Sequence, residues 1–207
     1  MKAFILSDTH GQHYNIEKFP IADMVIHSGD FTAHDIFKEP AFYEFIDWYA
    51  SLPYTYKVLV AGNHDGFIQL ENKKAREYML LHDIIYLEDE SITIEGIKIY
   101  GSPWTPTFRN WYFMDHDYNL EVLYKKIPHD INVLITHGPA YGILDKNSFG
   151  QSCGSKSLGK RILELKDLRF HICGHIHEGY GSKDTGDLLY VNAASPDKER
   201  NVVIDIF

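Results

Sequence analysis

His171-Ile172-Cys173-Gly174-His175-Ile176-His177-Glu178 is the stretch on which the reading of this chain turns. The short run 170–173 has the pattern of a buried strand. It stops at Gly174, and two imidazoles follow two residues apart. A strand that ends in a glycine turn and presents two histidines is a good place to hold a metal ion, provided other strand ends bring more ligands. Four other runs do so. Residues 3–6 lead into Asp8 and His10, residues 24–27 into Asp30, residues 56–60 into Asn63, and residues 133–135 into His137. In open α/β sheets, sites form beyond the carboxyl ends of the strands, so each set stands where that architecture would place it. Glycines beside the sets (Gly11, Gly29, Gly62, Gly138, Gly174) suit crowded loops that need close backbone approach.

The chain between these points alternates. Short helices are expected over 13–19, ended by Pro20, and from about Pro40, where Phe42, Phe45, Ile46 and Tyr49 share one face. A further helix is expected over 68–82, with Leu70, Tyr78, Met79 and Leu81 as its apolar positions. Strand–helix alternation implies parallel strands joined by right-handed crossovers. The pattern then changes to short strands at 84–87, 91–94 and 97–100, the last two joined by a Glu95-Gly96 hairpin turn. This predicts a second sheet with antiparallel pairing. An aromatic loop follows over 101–114, then helices over 118–126 and 155–165. Strands at 188–192 and 202–206 are expected to return to the second sheet. With no internal repeat, low-complexity tract or linker, residues 1–207 read as a single domain.

Bulk properties narrow the partners. A formal net charge of −9 argues against stable binding of nucleic acid, which normally needs a basic face. A small anionic substrate stays compatible with that charge, because bound cations reverse the local potential. Cys153 and Cys173 form no CxxC and read as free thiols of a reducing compartment. Met1-Lys2 leads straight into a strand-like run, without the pattern of a signal peptide. No apolar stretch approaches the roughly 20 residues that span a bilayer. The expected location is the cytoplasm, with no membrane partner; no feature speaks to oligomeric state.

Asp8, His10, Asp30, Asn63, His137, His175 and His177 make seven side chains. That is too many donors for one divalent ion and suits two that share a bridge. Asp30, with two carboxylate oxygens and no ligand beside it, is the natural bridge. Two ions roughly 3.5–4 Å apart clamp a phosphoryl group for in-line attack. Mixed nitrogen and oxygen donors favour Mn, Fe, Co, Ni or Zn over Mg or Ca, and Mn is the favoured choice.

The motifs Asp8-Thr9-His10, Gly29-Asp30, Gly62-Asn63-His64-Asp65, Thr136-His137-Gly138 and Gly174-His175-Ile176-His177, in this order, resemble those of the calcineurin-like metallophosphoesterases. Gly101-Ser102-Pro103-Trp104-Thr105-Pro106, Gly138-Pro139, Gly142-Ile143-Leu144-Asp145 and His177-Glu178-Gly179-Tyr180-Gly181 further resemble the small phosphodiesterase subgroup that includes the metallophosphoesterase-domain brain proteins. Some of that subgroup carry glycine where this chain has His175. The resemblance implies the metallo-dependent phosphatase fold, a four-layer α-β-β-α sandwich of two mixed sheets flanked by helices. It implies a first metal on Asp8, His10, Asp30 and His177, and a second on Asp30, Asn63, His137 and His175. It implies that His64 is no ligand but faces the phosphate as a proton donor or charge stabiliser, and that Asp65 orients it. The expected function is two-metal phosphoester hydrolysis, with small nucleotides or cyclic nucleotides favoured as substrates. Nuclease or phosphomonoesterase action, or a scaffold that kept the fold without catalysis, are the alternatives.

Each piece has a plainer reading. A lone Asp-x-His is more often a turn or cap than a metal site. His64 can be a structural histidine. His13, His27, His82, His116, His129 and His171 suit ordinary packing or surface positions, and His34 is a candidate substrate contact. Cys173 suits a buried, inert thiol. Trp104, Phe108, Trp111 and Phe113 can cap the core, mediate a dimer contact or stack a nucleobase, and Arg109 among them can meet a phosphate or simply be solvated.

Overall fold

Strands made wholly of apolar residues must be covered on both faces, and the computed structural model, which describes residues 1–33, 39–194 and 202–206, covers them. In chain order the strands are β1 (Lys2–Leu6), β2 (Met24–His27), β3 (Tyr56–Leu59), β4 (Ile84–Tyr86), β5 (Glu90–Ile94), β6 (Ile97–Ser102), β7 (Thr105–Pro106), β8 (Met114–Asp115), β9 (Val133–Thr136), β10 (Phe170–Cys173), β11 (Gly181–Asp184), β12 (Leu189–Asn192) and β13 (Val202–Asp205). The helices are α1 (Glu39–Ser51), α2 (Gly66–Leu70), α3 (Asn72–Leu81), α4 (Asp117–Tyr124) and α5 (Lys156–Glu164). One sheet has the order β13-β1-β2-β3-β4, the other β11-β12-β10-β9-β6-β5. β1 to β4 run parallel, as do β12, β10, β9 and β6; β13, β11 and β5 are antiparallel at the edges.

Side-chain alternation divides the interior into three apolar layers. Ala3 and Ile5 of β1 face inward with Met24, Ile26 and Val58, meeting Ile99, Val133, Ile135, Ile172 and Val191 of the other sheet. Phe4 and Leu6 face the other way, with Val25 and Leu59, onto Phe42, Phe45, Ile46 and Tyr49 of α1 and Met79 of α3. Leu134 and Tyr100 pack outward onto Leu120 and Tyr124 of α4 and Leu158 and Ile162 of α5. This is the expected four-layer α-β-β-α sandwich of two mixed sheets.

The structure corrects several expectations. β4 belongs to the first sheet, parallel to β3 through the pair Leu59↔Tyr86, because α2 and α3 carry the chain back over that sheet. β13 pairs antiparallel with β1, Lys2 opposite Asp205, rather than returning to the second sheet. The helix expected over 68–82 is two helices that meet at Glu71. Ala75 and Met79 face the core, whereas Leu70 and Leu81 are exposed. Of residues 13–19, only His13–Asn15 is helical, as a single 3₁₀ turn. The Glu95-Gly96 turn is as expected, with φ of +48° and +82°, the left-handed pair that joins β5 to β6. Among the described residues, no helix is long and apolar enough to cross a membrane.

Candidate metal centre

The carboxyl ends of β1, β2, β3, β9 and β10 converge. The Asp8 amide donates to Gly29 O at 2.9 Å, and the Gly174 amide donates to His137 O at 2.8 Å, tying the end loops of neighbouring strands together within each sheet. Asp8, His10, Asp30 and His175 have φ of +54°, +44°, +57° and +68°. Each non-glycine residue held there costs about 1–3 kcal/mol and persists only where its surroundings over-determine it. Gly174 shows why the packing allows nothing larger: a Cβ there would lie 2.0 Å from Ser7 Oγ and 2.3 Å from Asp8 Oδ2.

The buried Asp8 carboxylate divides its oxygens. Oδ2 accepts from Ser7 Oγ at 2.5 Å and from the His175 amide at 2.9 Å. Oδ1 turns to His177 Nε2 at 3.3 Å and His10 Nε2 at 3.8 Å. Asp30 does the same: Oδ1 accepts the His64 amide at 2.7 Å, and Oδ2 lies 3.3 Å from His137 Nε2. Asp30 therefore offers the site Oδ2 and keeps Oδ1 for the backbone. His10 and His137 each donate Nδ1–H to a carbonyl, Thr32 O at 3.3 Å and Ser28 O at 2.9 Å. That turns each Nε2 inward, the arrangement common to metal-binding histidines. His10 Nε2 then meets His177 Nε2 at 3.3 Å, and His137 Nε2 meets Asn63 Oδ1 at 3.0 Å. Nitrogen and oxygen atoms gathered this closely suit a shared cation. The ligand atoms fall into groups within 4.8 Å of one another: Asp8 with His10 and His177, Asp30 with His137 and His175, and His10 with Asp30 and His64.

The charges agree with that chemistry. Burial pushes the Asp8 carboxyl up, but the His177 hydrogen bond and the His137 and His10 imidazoles outweigh it and bring it down to about 2. Asp30 is lowered too, burial being outweighed by His137. Burial lowers His137, yet Asp30 beside it raises it to about 9. Burial and the neighbouring His137 hold His175 at about 4, so its imidazole is neutral and able to donate a lone pair. Ionised carboxylates, a neutral amide and inward-facing imidazoles fit divalent transition metals.

His64 sits beside these groups, its Nε2 3.8 Å from Asp30 Oδ2. Its ring meets His10 edge-on at 4.7 Å and Trp111 at 4.2 Å. Asp65 departs from expectation. Its carboxylate accepts from the amides of Asp30 (2.9 Å), Gly62 (2.7 Å) and Thr32 (3.1 Å) and from Thr32 Oγ1 (2.9 Å). The carboxylate thus organises the backbone of two ligand loops and does not bond the His64 ring. Burial and the charge of Asp30 push it up to about 7.

Other candidates are sorted by their surroundings. His27 bonds Thr9 Oγ1 at 3.1 Å, and His171 bonds Thr136 Oγ1 at 2.8 Å, both buried behind the ligand loops. His13 is buried, not superficial. Cys153 and Cys173 are free; Cys173 is buried, and burial pushes its thiol up. Phe113 is buried in the core, and the Trp104 indole donates to Asp89 at 2.9 Å. Phe108 is 57% exposed with its ring 5.5 Å from His175, and Arg109 is exposed. His34 lies outside the described residues. Sequence reasoning passed over Ser7 and Thr32, whose only signal is a hydroxyl one or two residues from a ligand.

A family description, calcineurin-like phosphoesterase, matches residues 1–179. The chain is 36% identical over 212 aligned positions to human Metallophosphoesterase domain-containing protein 1, an alignment that covers 91% of this chain and 64% of that protein. It is 34% identical over 215 positions to UPF0046 protein K07C11.7 of Caenorhabditis elegans, covering 98% of this chain and 72% of the relative. The crystal structure of TT1561 of Thermus thermophilus shares the fold at a TM-score of 0.71 and 14% identity, over 100% of this chain and 99% of that one. The chain belongs to the calcineurin-like phosphoesterase family, which depends on a binuclear metal centre. It spans just under two thirds of the human relative's length (64%).

Proposed function

We propose that this calcineurin-like phosphoesterase hydrolyses phosphodiesters, with small nucleotides or cyclic nucleotides as its substrates. The observation that carries the reading is the placing of Asp30 in two overlapping groups of metal-capable atoms, one with His137 and His175 and one with His10 and His64. Asp8, His10, Asp30 and His177 would hold one ion; Asp30, Asn63, His137 and His175 would hold the other. Bound there, the pair would supply Lewis-acid polarisation of the phosphoryl group and activation of water. Mn is the favoured metal, with Fe, Zn, Co and Ni as alternatives.

The chain's own residues do the rest. Asp8 and Asp30 set the charge that the ions neutralise, and Ser7 and the His175 amide fix the Asp8 carboxylate so that only Oδ1 faces the site. His64, beside Asp30 Oδ2, holds a proton at its ring for the departing ester oxygen. Asp65 keeps the Asp30 and Asn63 loops in register. Phe108, exposed beside His175, offers an apolar face on which a base can stack, an interaction worth about 1–3 kcal/mol.

The test is a panel of cyclic nucleotides, dinucleotides, monoesters and short DNA with Mn-loaded protein. Turnover of the small diesters is expected, with kcat lowered roughly 10²–10⁴-fold in His64→Ala. Activity confined to monoesters, or none on any ester, would overturn the reading.

A further inference from the structure

We propose that Trp111 is the positioning residue of His64, and that Gly66 and Tyr112 lock the loop that carries it. The inference rests on the role assigned to His64 above. The indole and imidazole centroids are 4.2 Å apart at 43°, while the edge of His10 meets the imidazole at 4.7 Å. The His64 ring is thus held between an indole and a metal-capable imidazole. A histidine in a polar loop can rotate about both side-chain bonds. Close packing of an indole removes that freedom where proton transfer needs a single pose.

The loop is tied to the His64 segment on several sides. The Tyr112 amide donates to Asn63 O at 3.3 Å. The Phe113 amide donates to Gln69 Oε1 on α2 at 2.7 Å, and the Thr105 amide donates to Phe113 O at 2.9 Å. The Tyr112 ring lies directly over Gly66: a Cβ there would come within 2.3 Å of Cε2 and 2.4 Å of Cδ2. Gly66, two residues after His64, is therefore the seat of the loop. Phe113, Trp104 and Tyr112 join the apolar cluster under this loop. Trp111 is half-buried, and its ring lies against the His64 imidazole.

Trp111→Ala is expected to lower kcat about 10- to 100-fold on a small diester, no more than the roughly 10²–10⁴-fold that the acid it positions contributes. KM and bound metal stay unchanged, and Trp111→Phe recovers most of the rate. Gly66→Ala, which lifts Tyr112, shows the same kcat loss. The double variant His64→Ala/Trp111→Ala is no slower than His64→Ala alone, because a residue acting through another has no effect once that other is gone. A rise in KM at constant kcat, or losses that multiply in the double variant, would overturn the proposal. If metal-loaded wild type hydrolyses no ester, the functional reading above falls, and proton NMR decides this one. Ring-current displacement of the His64 ring protons that is lost in Trp111→Ala and partly kept in Trp111→Phe supports it; unchanged His64 shifts in Trp111→Ala refute it.

Discussion

At the scale of the residue, the site is made by crowding as much as by ligand chemistry. Asp8 points Oδ1 inward because Oδ2 is pinned by Ser7 and the His175 amide, and Ser7 and Asp8 pack over Gly174. A Cβ at Gly174 would meet Ser7 Oγ and Asp8 Oδ2, and because both residues are buried and Asp8 already has a left-handed backbone, room for it comes only at the expense of the carboxylate's position. Gly174→Ala is therefore expected to fold but to displace the Asp8 carboxylate and weaken binding of the ion proposed to lie between it, His10 and His177. Metal analysis at saturating Mn should find about one ion per chain where the wild type holds about two; full occupancy in the variant would show that the carboxylate tolerates the displacement. The candidate ligands were legible in the sequence because few side chains hold metal and each stands where a strand run stops. The work of Asp65 was not. A carboxylate beside a histidine reads as its partner, and only the folded chain brings the Asp30, Gly62 and Thr32 amides to it.

At the scale of the element, α1 shows how a helix can fasten a parallel sheet. Its apolar face was readable from the spacing of Phe42, Phe45, Ile46 and Tyr49, and the structure buries all of them. The spacing does not say that Tyr49 also carries a polar function. Its hydroxyl donates to Val58 O at 2.7 Å and lies 3.1 Å from Val25 O, across β2 and β3. Burial pushes its pKa up, so it remains a donor. Tyr49→Phe keeps the ring and leaves those carbonyls without the hydroxyl, which should cost about 1–2 kcal/mol. Urea unfolding should show a lower midpoint at an unchanged m-value; a midpoint within error of wild type would mean that the hydroxyl contributes nothing. Strand identity was as legible as helix identity, but strand partnership was not. Residues 84–87 carry no local mark that sends them beside β3, and β13 none that sends it to β1. Pairing is decided by crossovers and by which edge the rest of the chain leaves open.

At the scale of the whole molecule, the buried histidines make stability depend on pH in a particular order. Burial holds His13 at about 4 and His27 and His171 at about 3, so all three are neutral in the folded protein. Unfolded, each takes a proton near pH 6.5. Between that value and the folded one, the unfolded chain binds more protons, so stability rises with pH. The contribution is fully present above about 6.5 and is lost as pH falls toward 4 and then 3. Asp8, lowered to about 2, has the same sign at more acid pH: its contribution is lost only below the ordinary carboxylate value of 3.8. His137, raised to about 9 by Asp30 against its burial, has the opposite sign, with stability that fades as pH rises from 6.5 through 9. Acid destabilisation should therefore begin in the histidine range, well above the pH at which Asp8 is protonated. His13 isolates the effect, because it lies among Tyr14, Phe45 and Trp48 and neither ring nitrogen has a hydrogen-bond partner among the described residues. His13→Phe keeps the ring packing and removes the proton. Discounted for partial solvent screening, the gain at pH 5 is about 1 kcal/mol, or roughly 2–4 °C in Tm for a chain of this size. Thermal unfolding of both proteins at pH 7.5 and pH 5 decides it: the wild type should lose more Tm than the variant between the two, and equal losses would remove His13 as a source of acid sensitivity.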